Sequence, residues 1–326
     1  MNAFRLGRVL LAALLLSWQI VAPLNAAAAK FTDPAITPIA TEGPLKLPTQ
    51  NAVLQGPLAS ATLPTIPTTL SIADAAQLQA PLTAGPDIYT ADFQKGLFDK
   101  LVDISYERTS GIVSMGLLKR FRVQAADLLD LKPGMTVADL MAGSGESWDY
   151  ILPKIGRTGT VHAVDFSDKM VDHAQVRHQT KFPDYQVNVL NQDATKTTLP
   201  SASVDVIHSG YGVKTLPKEL RPALVAEISR LLKPGGRAVL VEATLPKNKL
   251  LALAQNIYMN KVIPFVMKFL PGEYSAFLMI NRYLRDFKNM DELAAEFKAQ
   301  GFRVGVTPLF GGIAAVLTAE KPASRP

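Results

Sequence analysis

The sequence predicts a doubly wound, mainly parallel α/β sheet with helices on both faces. Three observations carry that prediction. From Phe93 onward, short apolar stretches of strand character alternate with helical ones. Two Lys-Pro-Gly turns, at 132–134 and 233–235, each lead into a strand. A loop of small residues, Gly143-Ser144-Gly145, stands between the first strand and the helix that follows it.

The elements follow in order. Residues 117–130 read as a helix and 136–140 as a buried strand. A helix over 146–155 precedes the second strand, 160–164. Ser167 is a good N-cap and opens a helix that runs to about residue 180. Strands three and four are 185–190 and 204–208. Residues 218–232 are helical, the second Lys-Pro-Gly-Gly turn stops them, and 237–242 form the fifth strand. An apolar insertion over 250–282 comes before a helix at 290–300. Residues 302–309 and 313–320 close the sheet as a strand pair, which makes seven strands, and 322–326 are a tail.

The rest of the chain has another texture. Arg5 and Arg8 precede an apolar run over 9–21 that only Ser17 and Gln19 interrupt. Alanines follow at 26–29, and no acidic residue occurs before Asp33. This is the charged, apolar and small-residue order of a secretory signal, with cleavage expected after Ala28 or Ala29. Left uncleaved, a segment of this length, ~20 residues, can anchor a chain in a bilayer. The expected location is therefore exported, periplasmic or extracellular, or membrane-anchored through 1–29. Residues 30–92 are rich in Pro, Thr and Ala, and their recurring prolines oppose a central strand or any helix beyond a short one over 71–79. They read as a linker to a domain over 93–321.

Composition removes several function classes. The chain has no cysteine, so disulfides, thiolate metal sites and a cysteine nucleophile are excluded. Its four histidines, His162, His173, His178 and His208, lack metal-ligand spacing, and no metal is expected. The net charge of +6 is scattered, without the basic, aromatic-interleaved runs that would mark nucleic-acid binding. Nothing in the sequence fixes an oligomeric state.

In a doubly wound sheet, ligands sit beyond the carboxyl ends of the central strands. Asp139, Ala142, Gly143, Ser144 and Gly145 follow or end strand one; their small size lets backbone approach a ligand, and the next helix offers free N–H groups to a carboxylate. Asp165, with Phe166, ends strand two, where a carboxylate can accept both hydroxyls of a ribose. Asp193 and Ala194 follow strand three, where a carboxylate can reach an adenine amine; a turn-capping role is the competing reading of Asp193. Ser209 stands at the end of strand four. A dinucleotide fingerprint needs a third glycine three residues after Gly145. Trp148 occupies that position, which argues against NAD.

These residues carry a resemblance. From about Phe98 to Lys321 the chain resembles the ubiquinone/menaquinone biosynthesis C-methyltransferases, within the class I S-adenosylmethionine-dependent methyltransferase superfamily. Residues 137–145 resemble that family's first motif, and 204–214 resemble its fourth-strand segment with a Tyr-Gly pair, here Tyr211-Gly212. Residues 231–237, followed by Glu242, resemble its turn before strand five, and Gly311-Gly312-Ile313 its closing Gly-Gly-Ile. Upstream, Tyr106-Glu107 replaces a Tyr-Asp, and Ser114-Met115-Gly116 falls at a Ser-x-Gly. Ser110 and Thr215 stand where the family has Asn, and Lys214 where it has Arg.

The resemblance implies a seven-stranded, Rossmann-like methyltransferase sheet with S-adenosylmethionine as cofactor. It also implies transfer of a methyl group to an apolar small molecule, quinone-like or phenolic. For a phenolic ring carbon, a base or relay would raise electron density at the nucleophile. His208, Tyr211 and Tyr106 are the candidates. The 250–282 insertion is expected either to cap an apolar acceptor and touch a membrane, or to add to the core. The alternative is an exported binding protein that keeps the methyltransferase fold without transfer activity.

Overall fold

A computed structural model describes residues 88–103, 106–267 and 275–323. The leader at 1–29 and the linker as far as residue 87 lie outside the described residues. The core is one sheet of seven strands. Its centre is β1 (Thr136–Leu140), where Val137, Ala138 and Leu140 are fully buried. On one side β1 pairs in parallel with β2 (Thr160–Asp165), which pairs in parallel with β3 (Gln186–Asn191). On the other side β1 meets β4 (Val204–Gly210), and β4 meets β5 (Leu232–Ala243), again in parallel. β7 (Ala314–Glu320) then runs antiparallel to β5, and β6 (Arg303–Leu309) antiparallel to β7. The order is β3-β2-β1-β4-β5-β7-β6, so the connections change direction between β1 and β4. That reversal is where a ligand crevice opens in an open parallel sheet.

Helices cover both faces because the central strands are apolar on both sides. One face buries Phe121 and Ala125 of α3 (Leu117–Leu128) with Ile151, Leu152 and Ile155 of α4 (Trp148–Ile155). The other buries Leu224 and Ile228 of α6 (Arg221–Leu231) with Leu293 and Phe297 of α10 (Asp291–Ala299). α5 (Asp168–Lys181) begins as expected at Ser167, whose hydroxyl accepts the Met170 N–H.

The structure differs from the sequence expectation at two boundaries. β5 starts at Leu232, not at 237. Leu232 already pairs with Val204, and the ladder then skips residues so that Arg237 pairs with Val206. The Lys-Pro-Gly-Gly stretch is therefore a bulge inside the strand. Gly235 sits at φ +78°, and a Cβ on Gly236 would fall 2.9 Å from the carbonyl oxygens of Asp205 and Lys233. The domain also begins earlier than residue 93. Ile88 is buried, its carbonyl accepts the Tyr283 hydroxyl at 2.6 Å, and the Tyr89 ring meets Tyr283 edge-on. These residues belong to a small third core. It joins α1 (Ala91–Asp103) to Tyr258, Met259 and Ile263 of the insertion and to α9 (Ser275–Phe287).

Candidate functional site

A cleft opens at the carboxyl ends of β1 to β4. Asp165 ends β2 and lines it. One carboxylate oxygen accepts the Gly143 N–H at 2.8 Å and the other accepts the Ser167 N–H at 3.0 Å. Each oxygen keeps a second lone pair. Burial pushes this carboxyl from 3.8 up to about 6, against the pull of the two N–H donors; the Glu146 and Asp139 carboxylates add to the rise.

The loop between β1 and α4 is shaped by its glycines. Gly143 has φ +58°, and a Cβ there would lie 3.1 Å from the Glu146 carboxylate. Gly145 has φ +83°, and a Cβ there would stand 2.7 Å from the Trp148 ring. Trp148 thus fills the space that a third glycine leaves open in a dinucleotide site. It is fully buried and donates its indole N–H to Asp139 at 3.0 Å. The other Asp139 oxygen lies 2.8 Å from His208 Nδ1.

Of the sequence candidates, Gly143, Asp165, Phe166, Asp193, Ala194 and Tyr211 line the cleft. Asp139, Ala142, Ser144, Gly145, His208 and Ser209 do not reach its wall. The reason for Asp139 and His208 is geometric. They are direct partners in the β1–β4 ladder, so both side chains leave the same face of the sheet. That face is the one α4 covers, and both groups are 1% exposed. The Ser209 side chain is fully buried, and Ser144 donates to Glu146 at 2.9 Å. The backbone N–H of Ala142 is bonded to the Val164 carbonyl. Tyr106 opens α2 (Tyr106–Val113), and its side chain lies outside the described residues. Asp193 answers to both readings. It lines the cleft while one oxygen accepts the N–H and the hydroxyl of Thr195, at 2.9 and 2.8 Å.

The other half of the cleft surrounds Tyr211. Met141 and Tyr211, at the ends of β1 and β4, have φ of +56° and +67°, a conformation uncommon for side-chain-bearing residues. Their loops touch so closely that a Cβ on Gly212 would lie 2.5 Å from the Met141 Cβ. The Arg122 guanidinium lies 5.0 Å from the Tyr211 ring centre. Arg122 is the one cation among the described lining residues, against the carboxylates of Glu146, Asp165 and Asp193. Lys214 is also near the ring, but its ammonium sits 3.0 Å from Glu242 and donates to the Tyr211 carbonyl. Its own N–H is held by Glu242 as well.

Reading strand ends alone misses Gln94, Phe98 and Arg122, which line the cleft from helices. Arg122 had a signal. It is a charge set into the otherwise apolar α3 stripe of Leu118, Phe121, Ala125 and Ala126. Among the described residues, none from the 250–282 insertion lines the cleft; its inner face packs on α1, which presents Gln94 and Phe98 instead.

Residues 90–321 match the model of the ubiE/COQ5 methyltransferase family, which is well over half of the chain. The chain belongs to the ubiE/COQ5 methyltransferase family. A demethylmenaquinone methyltransferase of Bacillus licheniformis is 25% identical over 221 residues, covering 68% of this chain and 93% of that protein. The enzyme of the same name from Lactiplantibacillus plantarum is 28% identical over 210 residues, covering 64% and 87%. Among solved structures, a SAM dependent methyltransferase from Aquifex aeolicus is 21% identical with a TM-score of 0.46, covering 61% of this chain and 88% of that one. This family member is an S-adenosylmethionine-dependent methyltransferase.

The acidic half of the cleft fits that cofactor. The Asp165 carboxylate retains two acceptor positions for a diol. Gly143 adds no side chain of its own to the cleft wall, and Asp193 stands one strand further along.

Proposed function

We propose that this methyltransferase acts on an apolar aromatic acceptor bearing an ionisable hydroxyl, of the hydroquinone type implied by the names of its relatives. The observation that carries this reading is the division of charge along the cleft. Carboxylates stand at β2 and β3, and the Arg122 guanidinium stands beside Tyr211 at β4. In this reading Asp165, Gly143, Phe166, Asp193 and Ala194 hold S-adenosylmethionine. Bound there, it supplies a methyl group already activated on a sulfonium.

The chain's own residues then orient the acceptor and tune it. Phe98, Met170 and Leu216 keep water from an apolar ring. Arg122 stabilises the acceptor as its oxyanion, its hydroxyl proton having gone to solvent, which raises electron density at the ring carbon that takes the methyl group; that carbon's hydrogen then leaves as a proton, also to solvent. Tyr211, fixed by its backbone conformation and by its hydroxyl's bond to the Leu118 carbonyl, positions the ring. His208 and Asp139 act at a distance, by holding Trp148 beneath the glycine loop.

The test is methyl transfer from isotope-labelled cofactor to a reduced demethylnaphthoquinone, read by mass spectrometry. Arg122→Gln should lower kcat by roughly 100-fold, the loss typical of one donor to a developing oxyanion. Cofactor affinity should stay within about threefold, or ~0.6 kcal/mol. Transfer to amines or carboxylates but to no hydroxylated ring would refute the acceptor class. An Arg122→Gln chain with unchanged kcat would remove Arg122 from the reaction.

We further propose that residues 1–29 deliver the domain to a membrane or across it, from the charge and apolar order of that segment. A reporter fused after Ala40 should appear in the membrane or exported fraction. A reporter found wholly in the soluble cytoplasm would rule this out.

A further inference from the structure

We propose that the outer face of the 249–267 helical segment is a docking surface for an anionic phospholipid bilayer. The segment comprises α7 (Lys249–Ile257), a π-turn at Tyr258–Val262 and α8 (Ile263–Met267). Its inner face is committed to the domain. The Tyr258 hydroxyl donates to the Val113 carbonyl at 2.7 Å, Gln255 donates to the Thr244 carbonyl, and Ile263 is buried. Its outer face is unusually apolar. Leu250, Leu253 and Phe265 are 65%, 36% and 51% exposed.

The π-turn determines that these three residues share one face. At about 100° per residue, an uninterrupted α-helix would place Phe265 roughly 120° around from Leu253. A π-turn absorbs one extra residue, which brings Phe265 back to within about 20° of Leu253. An exposed apolar stripe is therefore restored across the turn rather than dispersed by it.

Charge selects the occupant. Between Glu242 and Glu273 there is no acidic residue, while lysines stand at 247, 249, 261 and 268. Lys247, Lys249 and Lys261 are exposed on the same segment as the stripe. Leucine and phenylalanine on a helix face, with exposed lysines on the same segment, is the pattern of a helix lying in the headgroup region of an anionic membrane. Among the described residues no helix is long and apolar enough to cross one, so this contact is in the plane of the surface.

The apolar run at 9–21 would bind vesicles by itself, so the test must read one position at a time. The chain has no cysteine, which makes single labels clean. Full-length Leu253→Cys and Val176→Cys chains would each carry an environment-sensitive fluorophore; Val176, 56% exposed, lies on α5 and serves as the control. Vesicles would be of mixed phosphatidylglycerol and phosphatidylcholine, or of phosphatidylcholine alone, with nitroxide lipids as quencher.

The label at 253 should brighten and be quenched with the anionic vesicles, and the label at 176 should do neither. Replacing Lys247, Lys249 and Lys261 by Glu should reduce quenching at 253 to the level seen at 176. Equal responses at both positions would overturn the proposal. So would undiminished quenching at 253 in phosphatidylcholine alone, an outcome that stays readable if the charge-reversed chain does not fold. A response at 253 on concentrating the protein without vesicles would assign the face to a second copy instead. No readout depends on methyl transfer, so the acceptor reading and this one fail separately.

Discussion

An Asp165→Ala chain is expected to bind S-adenosylmethionine at least about 100-fold more weakly than the unaltered protein. Two hydrogen bonds to an ionised carboxylate are worth ~1.5 to 3 kcal/mol each, and ~2.7 kcal/mol is already a factor of 100. Calorimetric titration measures it directly, and equal affinity would remove Asp165 from the site. The substitution also deprives the Gly143 and Ser167 N–H groups of their acceptor. Asp165→Asn, which keeps an acceptor oxygen, separates loss of the diol contact from disorder of the loop.

The raised carboxyl gives the same prediction a pH signature. Burial lifts Asp165 to about 6, so the free protein carries a proton there at pH 5 and has lost it by pH 7. The ionised form is the better acceptor of two hydroxyls. Affinity should therefore fall as pH drops through about 6, by up to tenfold per unit, and level off above about 7. Asp165→Asn should abolish that slope. Stability of the cofactor-free domain runs the other way. Between pH 4 and 6 the native state holds a proton that the unfolded chain has released, so this group's contribution to stability declines as pH rises.

How legible the site was in the sequence depended on which element carried each residue. Strand ends were readable, because the alternation of strands and helices locates the crevice before any side chain is considered. Gly143, Asp165 and Asp193 follow from that rule. Side-chain direction was not readable at the same level. Asp139 and His208 lie at the right strand ends and turn into the core, because a strand sends successive side chains to opposite faces and position alone does not say which. Arg122, Gln94 and Phe98 arrive from helices upstream of the first strand, and only tertiary packing brings them over the sheet edge. All seven strands and the helices between them were legible, with one boundary exception, whereas α1 and the helices of the insertion were not read. The exception at β5 arose because a Lys-Pro-Gly-Gly stretch reads as a chain reversal, yet a bulge accommodates it without ending the ladder.

The residues that turned inward are expected to matter most for stability. Asp139 receives the Trp148 indole N–H at 3.0 Å and faces His208 at 2.8 Å, all within a core that excludes solvent. Asp139→Ala leaves two buried ring N–H groups with no acceptor. Removing one partner of such a buried cluster costs about 3 to 5 kcal/mol. For a domain of this size that is a fall in Tm of roughly 10 °C. Trp148→Phe keeps most of the ring volume and gives up chiefly the hydrogen bond, so it should cost about 1 to 2 kcal/mol. Trp148→Ala opens a cavity under Gly145 and should cost ~3 to 5 kcal/mol. Asp139→Ala and Trp148→Phe abolish the same bond. Together they should therefore destabilise by less than the sum of the two, with a shortfall of about 1 kcal/mol. Calorimetric melting of the four chains measures each value. A direct chemical role for Asp139 predicts the opposite pattern, with Tm unchanged and kcat reduced while cofactor affinity holds. Under the structural role, cofactor affinity weakens with stability, since the Trp148 ring supports the glycine loop from below.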